Sequence, residues 1–497
     1  MYLYKCFGKY KTKGSIVMKM KKRILVGLTS AAIAASMFAV SANAAKEGFK
    51  EIEPTAENVK MIGRTSYENG TLSIPWSAGG VEFKTTGSMV RFNLKKTDTT
   101  RIAVYVNGKL AVKGYTDSKS KNPVIDVPLE EGENTVKLVK LSECANSILK
   151  LESIEVEEGA TVTPTDKQAH SIEFIGDSIT CGYGVDGDTS ESFNVKNENA
   201  AKTYAYLTAD TFDADYSFVS VSGTGVISGY TANDSKNESN LAPTYYESLY
   251  FSWGGNNSTW DFAGYQPEAI VINLGTNDSS YTKGNAEKCK DFQDTYVQFI
   301  KTVRKNNPNS AIICSLGVMG QDLYPQVEAA VDAYKTETGE TNVYAFKFNV
   351  QDTTNNGIGV DWHPSEQSHK DAAGELEAFI SETLGWSAST SLETGMENTV
   401  KDDDKVFADA DAGETTEDPS SSESSSEVQP DSSSQTDDSS DESSKNSSEA
   451  SSSSKASSST AAATNNAAAS NPATGVVIAL AGAALAGTAV VVSRKKK

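Results

Sequence analysis

The sequence contains few of the residues that build metal sites and disulfide frameworks. Its 497 residues include three His and five Cys. So few His argue against a multi-histidine metal site, and any His-dependent catalysis must use His170, His363 or His369. Cys6 precedes the expected mature protein and the other Cys are widely scattered, so no disulfide framework is indicated. We expect Cys314, within an apolar run, to be a free buried thiol.

Cationic residues are also scarce. The chain carries 45 Lys and Arg against 66 Asp and Glu, a formal net charge of -21. This balance argues against a nucleic-acid partner, because phosphate contacts require clustered Lys and Arg. Residues 401–460 hold 16 acidic and 4 basic side chains, which is more than half of the excess. The remaining sequence is therefore only mildly acidic.

The amino-terminal residues have the pattern of a secretory signal. Basic residues at 19–23 are followed by an apolar run at 24–40 and then by Ser41-Ala42-Asn43-Ala44. The order of charged, apolar and small residues predicts a signal peptide over residues 1–44, with cleavage after Ala44. The sequence therefore predicts an exported, extracellular protein.

The carboxyl-terminal part predicts a tether and an anchor. Residues 387–470 are dominated by Ser, Asp, Glu and Ala, a composition that predicts a disordered linker. Residues 471–497 contain Asn471-Pro472-Ala473-Thr474-Gly475, an apolar run at 476–492 and a basic tail. This order resembles a sortase sorting signal, with Asn in place of the usual Leu, and implies sortase and peptidoglycan as partners. The alternative is a tail helix that stays in the membrane. Both place the protein at the cell surface.

Residues 45–165 have the period-two pattern of β-strands. Apolar residues alternate with polar ones in six short runs, at 81–83, 89–94, 102–106, 124–129, 135–141 and 149–156. Asn107-Gly108, directly after the third run, is typical of a type I′ hairpin turn. Short alternating strands without a helical period predict a β-sandwich.

Residues 166–386 alternate between strand and helix patterns. Strands are predicted at 171–175, 215–221, 269–274, 311–316 and 343–350, and helices at 203–212, 286–305, 326–335 and 365–384. Such alternation predicts an α/β domain with a parallel, doubly wound sheet. Ligands of such sheets bind at the carboxyl ends of the strands.

Four short motifs fall at that predicted edge. Three follow strands, and the fourth precedes the last helix: Gly176-Asp177-Ser178, Ser222-Gly223-Thr224-Gly225, Gly275-Thr276-Asn277-Asp278 and Asp361-Trp362-His363-Pro364. A serine hydroxyl becomes a useful nucleophile when a base, usually His, accepts its proton. The motifs therefore indicate serine-dependent acyl chemistry. Phosphate-binding loops, dinucleotide fingerprints and metal-ligand spacings do not stand out, and no cofactor is expected.

These four motifs, in this chain order, resemble the blocks of the SGNH, or GDSL, hydrolase superfamily. The resemblance implies that Ser178 is the nucleophile and His363 the base. It assigns the oxyanion hole to the Ser178 amide, Gly223 and Asn277, with Gly225 as the alternative if the second block is shifted. The expected fold is a parallel SGNH hydrolase sheet preceded by a β-sandwich, which we expect to be jelly-roll-like.

The preceding sandwich and the extended motif Gly176-Asp177-Ser178-Ile179-Thr180-Cys181-Gly182-Tyr183-Gly184 more narrowly resemble carbohydrate esterase family two. This resemblance implies removal of acetyl groups from plant polysaccharides such as xylan and glucomannan. Two alternatives remain open. One is a lipase or thioesterase that uses the same four blocks, and the other is a carbohydrate-binding surface module without catalysis.

The residue that orients His363 is left open by the sequence. Members of the superfamily place an acidic residue three positions before the His, where this chain has Val360. Asp361, two positions before, is the candidate for a third triad member, and a backbone carbonyl is the alternative. Aromatic rings stack on sugars, so Trp253, Trp260 and Trp362 are candidate substrate-binding residues.

Overall fold

The structure of the chain, a computed structural model, describes residues 46–253, 255, 258–389 and 404–410. The expected signal peptide, the sorting signal and most of the expected linker lie outside these ranges. Within the described ranges, no helix combines the length and the apolar character needed to cross a membrane.

The amino-terminal region is a β-sandwich, as the alternation predicts. One antiparallel sheet has the order β3-β4-β11-β6-β9, with β1 paired to β11. Its strands, numbered in chain order, are β1 (Phe49–Ile52), β3 (Ser66–Glu68), β4 (Thr71–Ile74), β6 (Met89–Leu94), β9 (Val124–Pro128) and β11 (Leu149–Glu157). The second sheet has the order β12-β5-β10-β7-β8-β18, with β2 paired to β5. Its strands are β2 (Lys60–Ile62), β5 (Gly80–Thr86), β7 (Arg101–Val106), β8 (Lys109–Thr116), β10 (Glu133–Lys140), β12 (Val162–Pro164) and β18 (Lys405–Phe407).

The second region contains a parallel five-stranded sheet, which confirms the predicted α/β architecture. Its order is β14-β13-β15-β16-β17. The strands are β13 (His170–Gly176), β14 (Ala214–Ser220), β15 (Ala269–Asn273), β16 (Ala311–Leu316) and β17 (Val343–Lys347). The helices are α1 (Ser178–Cys181), α2 (Tyr204–Thr211), α3 (Ala242–Tyr245), α4 (Thr276–Thr282), α5 (Ala286–Asn306), α6 (Tyr324–Thr338) and α7 (Glu366–Leu384).

The sheet is covered by helices on both faces. Phe174 of β13 packs in a core with residues of α2 and α7, including Leu376. The next residue, Ile175, packs in a second core with residues of α5 and α6, including Val327. Successive side chains of a strand point to opposite faces, so a strand covered on both faces is apolar throughout. With both faces covered, a site can form only at the ends of the strands, and in such sheets ligands bind at the carboxyl ends.

The sandwich and the α/β region, residues 166–389, share one hydrophobic core. In β7, Val104 faces the interior of the sandwich, whereas Tyr105 packs with residues of the α/β region. Trp76 is fully buried in the core of the α/β region, and its Nε1 donates to the carbonyl of Leu249 at 2.7 Å. The buried guanidinium of Arg64 pairs with Glu173 of β13 at 3.2 Å. The two regions are therefore packed as parts of one core.

One segment of the predicted linker is ordered, which corrects part of the expectation of disorder over residues 387–470. Strand β18 pairs in parallel with β8, and Phe407 is buried in the core of the sandwich. Asp404 forms ion pairs with Arg101 at 2.9 Å and with Lys113 at 3.6 Å. The composition of the whole linker is polar, but two of its residues, Phe407 and Asp404, make specific contacts with this edge of the sandwich. Residues 390–403 and 411–470 lie outside the described residues.

Candidate active site

Ser178 lies at the carboxyl end of β13, an interior strand that is paired with β14 and β15. The chain leaves the strand at Gly176, where an added Cβ would lie 2.1 Å from Oγ1 of Thr180. Asp177 then caps helix α1, and its carboxylate accepts a hydrogen bond from the amide of Ile179 at 3.0 Å. Ser178 is the first residue of this helix, so its hydroxyl is placed where backbone N–H groups converge.

Ser178 and His363 form a hydrogen-bonded pair. Nε2 of His363 lies 2.8 Å from Oγ of Ser178, and Nδ1 lies 3.1 Å from the carbonyl oxygen of Val360. If Nδ1 carries the ring proton and donates a hydrogen bond to that carbonyl, Nε2 has a free lone pair that can accept the proton of the hydroxyl. Burial lowers the pKa of His363 from 6.5 to about 4, although the contact with Val360 opposes this shift. The imidazole is therefore neutral near pH 7, as a general base must be.

The carboxylate of Asp361 bonds a tyrosine, and no hydrogen bond of the described residues joins it to His363. Its Oδ2 accepts a hydrogen bond from the Tyr183 hydroxyl at 2.7 Å, and the Tyr183 ring stacks on His363 with 4.2 Å between centroids. In an extended segment, Asp361 and His363 would point to the same side of the backbone. Residues 360–362 instead form a 3₁₀ turn in which Asp361 and Trp362 have φ values of 51° and 66°. The described geometry therefore favours the Val360 carbonyl as the group that orients His363.

Two backbone amides of the predicted oxyanion hole have no acceptor among the described residues. Among the hydrogen bonds of the described residues, none has the amide of Ser178 or of Gly223 as its donor. Gly223 has φ of 76°, a left-handed conformation that favours glycine. The alternative, Gly225, is unsuited because its amide donates to the carbonyl of Asn240 at 3.3 Å. The absence of an acceptor for these amides is compatible with the predicted oxyanion hole, and their role as donors stays a prediction.

Asn277 connects the loops that carry these amides. Its Nδ2 donates to Oδ2 of Asp177 at 3.1 Å and to the carbonyl of Thr224 at 2.8 Å. In this arrangement both amide protons of Asn277 are directed at protein groups. Burial, together with the charge of nearby Asp278, raises the pKa of Asp177 to about 7. A role of Asn277 as a third oxyanion donor stays a prediction.

The sequence reasoning missed several residues that build this site. Asp278 accepts hydrogen bonds from the amides of Val226, Ile227 and Ser228 at 2.7–3.0 Å, which fixes the loop beyond Gly223. Tyr183 covers one face of His363. Asp278 and Tyr183 both stand inside the quoted motifs. Their partners are distant in sequence, so no local signal revealed these contacts.

The predicted substrate-binding tryptophans fall in different places. Trp362, directly before His363, is 60% exposed. Trp253 is 61% exposed and packs edge-on against Phe251, and no described contact joins it to Ser178 or His363. Trp260 lies against the buried guanidinium of Arg64 and lines a recess with His170, at the amino ends of the strands. Trp260 is therefore at the opposite edge of the sheet, which corrects its assignment to the substrate site.

An exposed aromatic residue not singled out from the sequence lies beside the oxyanion loop. The amide of Tyr230 donates to the carbonyl of Gly223 at 2.9 Å, and 43% of the residue is exposed. With Trp362, this places exposed aromatic rings beside both Gly223 and His363. Neither of the other two histidines has a described contact with Ser178. His170 pairs with Glu268 at 2.9 Å, and His369 is fully buried in α7.

One cluster of the described residues has side chains of metal-binding type. Ligand atoms of Glu143, Cys181 and Glu198, all buried, lie within 4.8 Å of one another. The buried ammonium of Lys140 interacts electrostatically with both carboxylates. Glu143 also accepts a hydrogen bond from the amide of Ser222 at 2.7 Å. Because these groups already have partners within the protein, we assign no metal to the cluster. All four described cysteines, at 144, 181, 289 and 314, are free and buried.

Comparison with known families identifies both regions. Residues 172–376 match the GDSL-like Lipase/Acylhydrolase family. Residues 61–165 match the Carbohydrate esterase 2 N-terminal family. The match over residues 61–165 covers the sandwich, and the match over residues 172–376 covers the α/β region, which is called the hydrolase region below.

Individual relatives carry both regions. The chain is 31% identical to the cellulase/esterase CelE of Acetivibrio thermocellus over 63% of its own length, and it spans 38% of CelE. It is 25% identical to an acetylxylan esterase / glucomannan deacetylase of Cellvibrio japonicus, covering 66% of this chain and 90% of that protein.

A solved structure has the same arrangement of regions. The fold matches a family two carbohydrate esterase from Clostridium thermocellum, determined in complex with cellohexaose, with a TM-score of 0.59 and 29% identity. The match covers 66% of this chain and 99% of that one. Residues 61–376 therefore match, in order, the carbohydrate esterase 2 N-terminal family and the GDSL-like Lipase/Acylhydrolase family, and these matches support a carboxylic ester hydrolase.

Proposed function

We propose that this chain is a carbohydrate O-acetyl esterase that removes acetyl groups from plant polysaccharides such as xylan and glucomannan. The observation that carries the proposal is the contact of 2.8 Å between Ser178 Oγ and His363 Nε2, beside the unpaired amides of Ser178 and Gly223. A nucleophile, a neutral base and oxyanion donors are the parts that acyl transfer to serine requires.

The reaction follows from these positions. Nε2 of His363 takes the hydroxyl proton as Ser178 Oγ attacks the acetyl carbonyl, and the amides of Ser178 and Gly223 donate hydrogen bonds to the resulting oxyanion. The protonated imidazole then gives its proton to the departing sugar oxygen, leaving an acetyl-enzyme. Water, deprotonated by His363, attacks this ester, and acetate leaves as Oγ regains its proton. Asn277 would act as a third donor if it exchanged its contact with Asp177 for the oxyanion.

The choice of an acetylated glycan rests on the relatives and on the surface beside the dyad. The acetylxylan esterase / glucomannan deacetylase of Cellvibrio japonicus carries its substrate class in its name, and the Clostridium thermocellum esterase was determined with cellohexaose. Trp362, directly before His363, and Tyr230, which bonds Gly223, are both exposed aromatic residues. Sugar rings present C–H faces that stack on aromatic rings. We therefore infer that a glycan lies across Tyr230 and Trp362.

We further propose that the protein is exported and attached to the cell wall. The support is the signal-like pattern of residues 1–44 and the sorting-signal pattern of residues 471–497. Sortase would join the chain to peptidoglycan within Asn471–Gly475. Fractionation of the producing cells tests this location. The proposal expects release by a peptidoglycan-degrading enzyme, whereas release by detergent alone would indicate a membrane-resident tail.

The activity is tested by measuring acetate release. Wild-type protein and Ser178→Ala are incubated with acetylated xylan, acetylated glucomannan and a long-chain ester. We expect release from an acetylated glycan by the wild type and none by Ser178→Ala. A preference for the long-chain ester would support a lipase or thioesterase instead. Binding of polysaccharide without acetate release would support a non-catalytic binding module.

A further inference from the structure

The sandwich contributes a carboxylate to the interior of the hydrolase region. Glu143 lies in the connection between β10 and β11 and is 3% exposed. Its Oε2 accepts a hydrogen bond from the amide of Ser222 at 2.7 Å. The thiol of Cys181 approaches the same oxygen at 3.7 Å. One carboxylate of the sandwich therefore contacts two separate segments of the hydrolase region.

These two segments carry the unpaired amides of the site. Ser222 directly precedes Gly223, and Cys181 is the last residue of α1, which begins at Ser178. The Ser222 carbonyl is held as well, since Nδ2 of Asn240 donates to it at 2.8 Å. In a trans peptide the C=O of one residue and the N–H of the next point in opposite directions. Fixing the Ser222 carbonyl towards Asn240 therefore fixes where the Gly223 N–H points.

Glu143 fixes the peptide unit on the other side of Ser222. The Ser222 amide belongs to the preceding peptide plane, so its hydrogen bond to Oε2 restrains φ of Ser222, while Asn240 restrains ψ. Both backbone dihedrals of the residue before the oxyanion donor are thereby held by buried side chains. An oxyanion donor is effective only when it is oriented before the charge develops.

Glu143 is itself held in place. Its amide donates to Oε2 of Glu198 at 3.1 Å, and its carbonyl accepts from Nζ of Lys140 at 3.0 Å. Burial raises the pKa of Glu143, and the Ser222 amide and Lys140 act in the opposite direction. In either protonation state a carboxyl oxygen remains available as an acceptor for the Ser222 amide. The contact thus depends on the reach of the side chain and not on its charge.

We propose that Glu143 is a positioning residue for the oxyanion hole, so that the sandwich completes the active site of the hydrolase region. Glu143 touches no reacting atom in this account and acts through the Ser222–Gly223 peptide. This inference rests on the proposed esterase function. It assigns the sandwich a part in turnover that is separate from any binding of glycan.

Three substitutions in the full-length chain separate reach from charge. Glu143→Asp keeps the charge but withdraws the acceptor by one methylene, so we expect kcat to fall about 10- to 100-fold, as for a misplacement of about 1 Å. Glu143→Gln keeps an oxygen at the same reach, and we expect kcat within about fivefold of wild type because a neutral acceptor still bonds the amide. Glu143→Ala removes the acceptor and should lose at least as much activity as Glu143→Asp.

A control removes a polar contact between the same two regions at the opposite edge of the sheet. Nζ of Lys60, in β2, pairs with Asp215 at the start of β14 at 3.0 Å. Lys60→Met should lower the melting temperature without changing kcat. Equal losses of kcat in Lys60→Met and Glu143→Asp would overturn the proposal, because they would show a general effect of weakened packing between the regions.

A second readout follows the oxyanion hole directly. A small alkylboronic acid bonds to Ser178 Oγ and forms a tetrahedral adduct with an oxygen in the oxyanion hole. We expect its Ki to rise in Glu143→Asp in parallel with the fall of kcat, while KM stays within about threefold because ground-state binding is unchanged. A fall of kcat without a change of Ki would contradict the proposal, as would equal losses in Glu143→Asp and Glu143→Gln.

The same data distinguish failure of this inference from failure of the proposed function. If wild-type protein releases no acetate from any acetylated glycan, the proposed function is wrong, and the Ki series still tests Glu143. If the wild type is active and folded Glu143→Asp turns over within about threefold of it, the positioning role is wrong. Should Glu143→Ala fail to fold, Glu143→Asp and Glu143→Gln carry the comparison.

Discussion

At the residue scale, the central question is which atom orients His363. The structure places the Val360 carbonyl 3.1 Å from Nδ1, whereas Asp361 bonds the Tyr183 hydroxyl. Asp361→Asn should therefore leave kcat within about threefold of wild type, because an Asn oxygen still accepts from Tyr183 and no triad carboxylate is lost. Steady-state kinetics on an acetylated glycan measure this. A fall of about 10⁴-fold would instead identify Asp361 as a triad member.

The environment of His363 also predicts the acid limb of the pH profile. Burial lowers the pKa of His363 to about 4, so the imidazole stays neutral, and able to act as a base, down to that pH. As the pH is lowered, activity should be lost only near pH 4, where His363 becomes protonated. As the pH is raised through that value, kcat/KM should increase and then level off. Rate measurements from pH 3 to pH 8, with a check that the protein stays folded, test this. An acid limb centred near 6.5, the ordinary value for His, would contradict the described environment.

These residue details show where sequence reasoning ends. Ser178 and His363 stand in recognisable motifs, and the structure brings their side chains together. The Val360 carbonyl could not be recognised, since every residue has a carbonyl and only the backbone conformation selects one. That conformation includes left-handed φ values at Asp361 and Trp362, two residues without the freedom of glycine. The local sequence pattern therefore did not predict the turn at residues 360–362.

At the scale of elements, β18 provides a test of how the carboxyl-terminal segment is attached. Phe407 is 5% exposed and packs into the core of the sandwich, whereas its neighbour Val406 is 53% exposed. Phe407→Ala should lower the melting temperature and cost up to about 3 kcal/mol, because a buried aromatic side chain is removed. The same substitution should leave kcat unchanged, since β18 lies on the sandwich.

Val406→Ala is the matched control for this prediction. Adjacent residues of a strand point to opposite faces. The two substitutions therefore truncate a buried side chain and an exposed side chain of the same strand. Thermal melts of both variants and of the wild type should show a loss for Phe407→Ala only. Equal melting temperatures for all three proteins would mean that residues 404–410 add nothing to stability.

The long elements were predictable and the short ones were not. The strand expected at 311–316 is found as Ala311–Leu316, and the helix expected at 286–305 is found as Ala286–Asn306. The helix is long enough for its periodicity to be recognised, and the strand is a continuous, largely apolar run. Strands of three residues, such as β2, β3 and β18, are too short to show a period. They form because a neighbouring strand offers an edge, which is tertiary information.

At the scale of the whole molecule, the shared core predicts that the hydrolase region depends on the sandwich. Trp76 and Arg64 are fully buried against the hydrolase region, and Tyr105 packs there as well. Removal of the sandwich would expose this apolar surface and leave Glu173 as a buried carboxylate without its guanidinium partner. A shortened protein of residues 166–389 should therefore fail to give a cooperative thermal transition.

Residues 46–410 are the comparison for this prediction. That longer protein retains both regions and β18, so it should unfold cooperatively and keep its esterase activity. Calorimetry and acetate release measure the two properties on the same samples. A cooperative transition and wild-type kcat for residues 166–389 alone would contradict both the shared core and the role proposed for Glu143.

The division into regions followed from the sequence, but their connection did not. A change from period-two runs to alternating strands and helices marks the boundary near residue 166, and the structure begins the parallel sheet at His170. The sequence around Trp76 and Glu143 does not indicate which residues of the hydrolase region they contact. Their contacts join positions more than 70 residues apart, which no local pattern reports.

The most direct measurement of the central claim is the site of covalent acetylation during turnover. Wild-type protein is mixed with p-nitrophenyl acetate, quenched at early times and digested. The mass of the peptide that contains Ser178 is then measured by mass spectrometry. The account predicts one acetyl group on Ser178, a burst of p-nitrophenol equal to the enzyme concentration, and neither result with Ser178→Ala. Steady acetate release at the wild-type rate by Ser178→Ala, with the acetyl group elsewhere or absent, would contradict it.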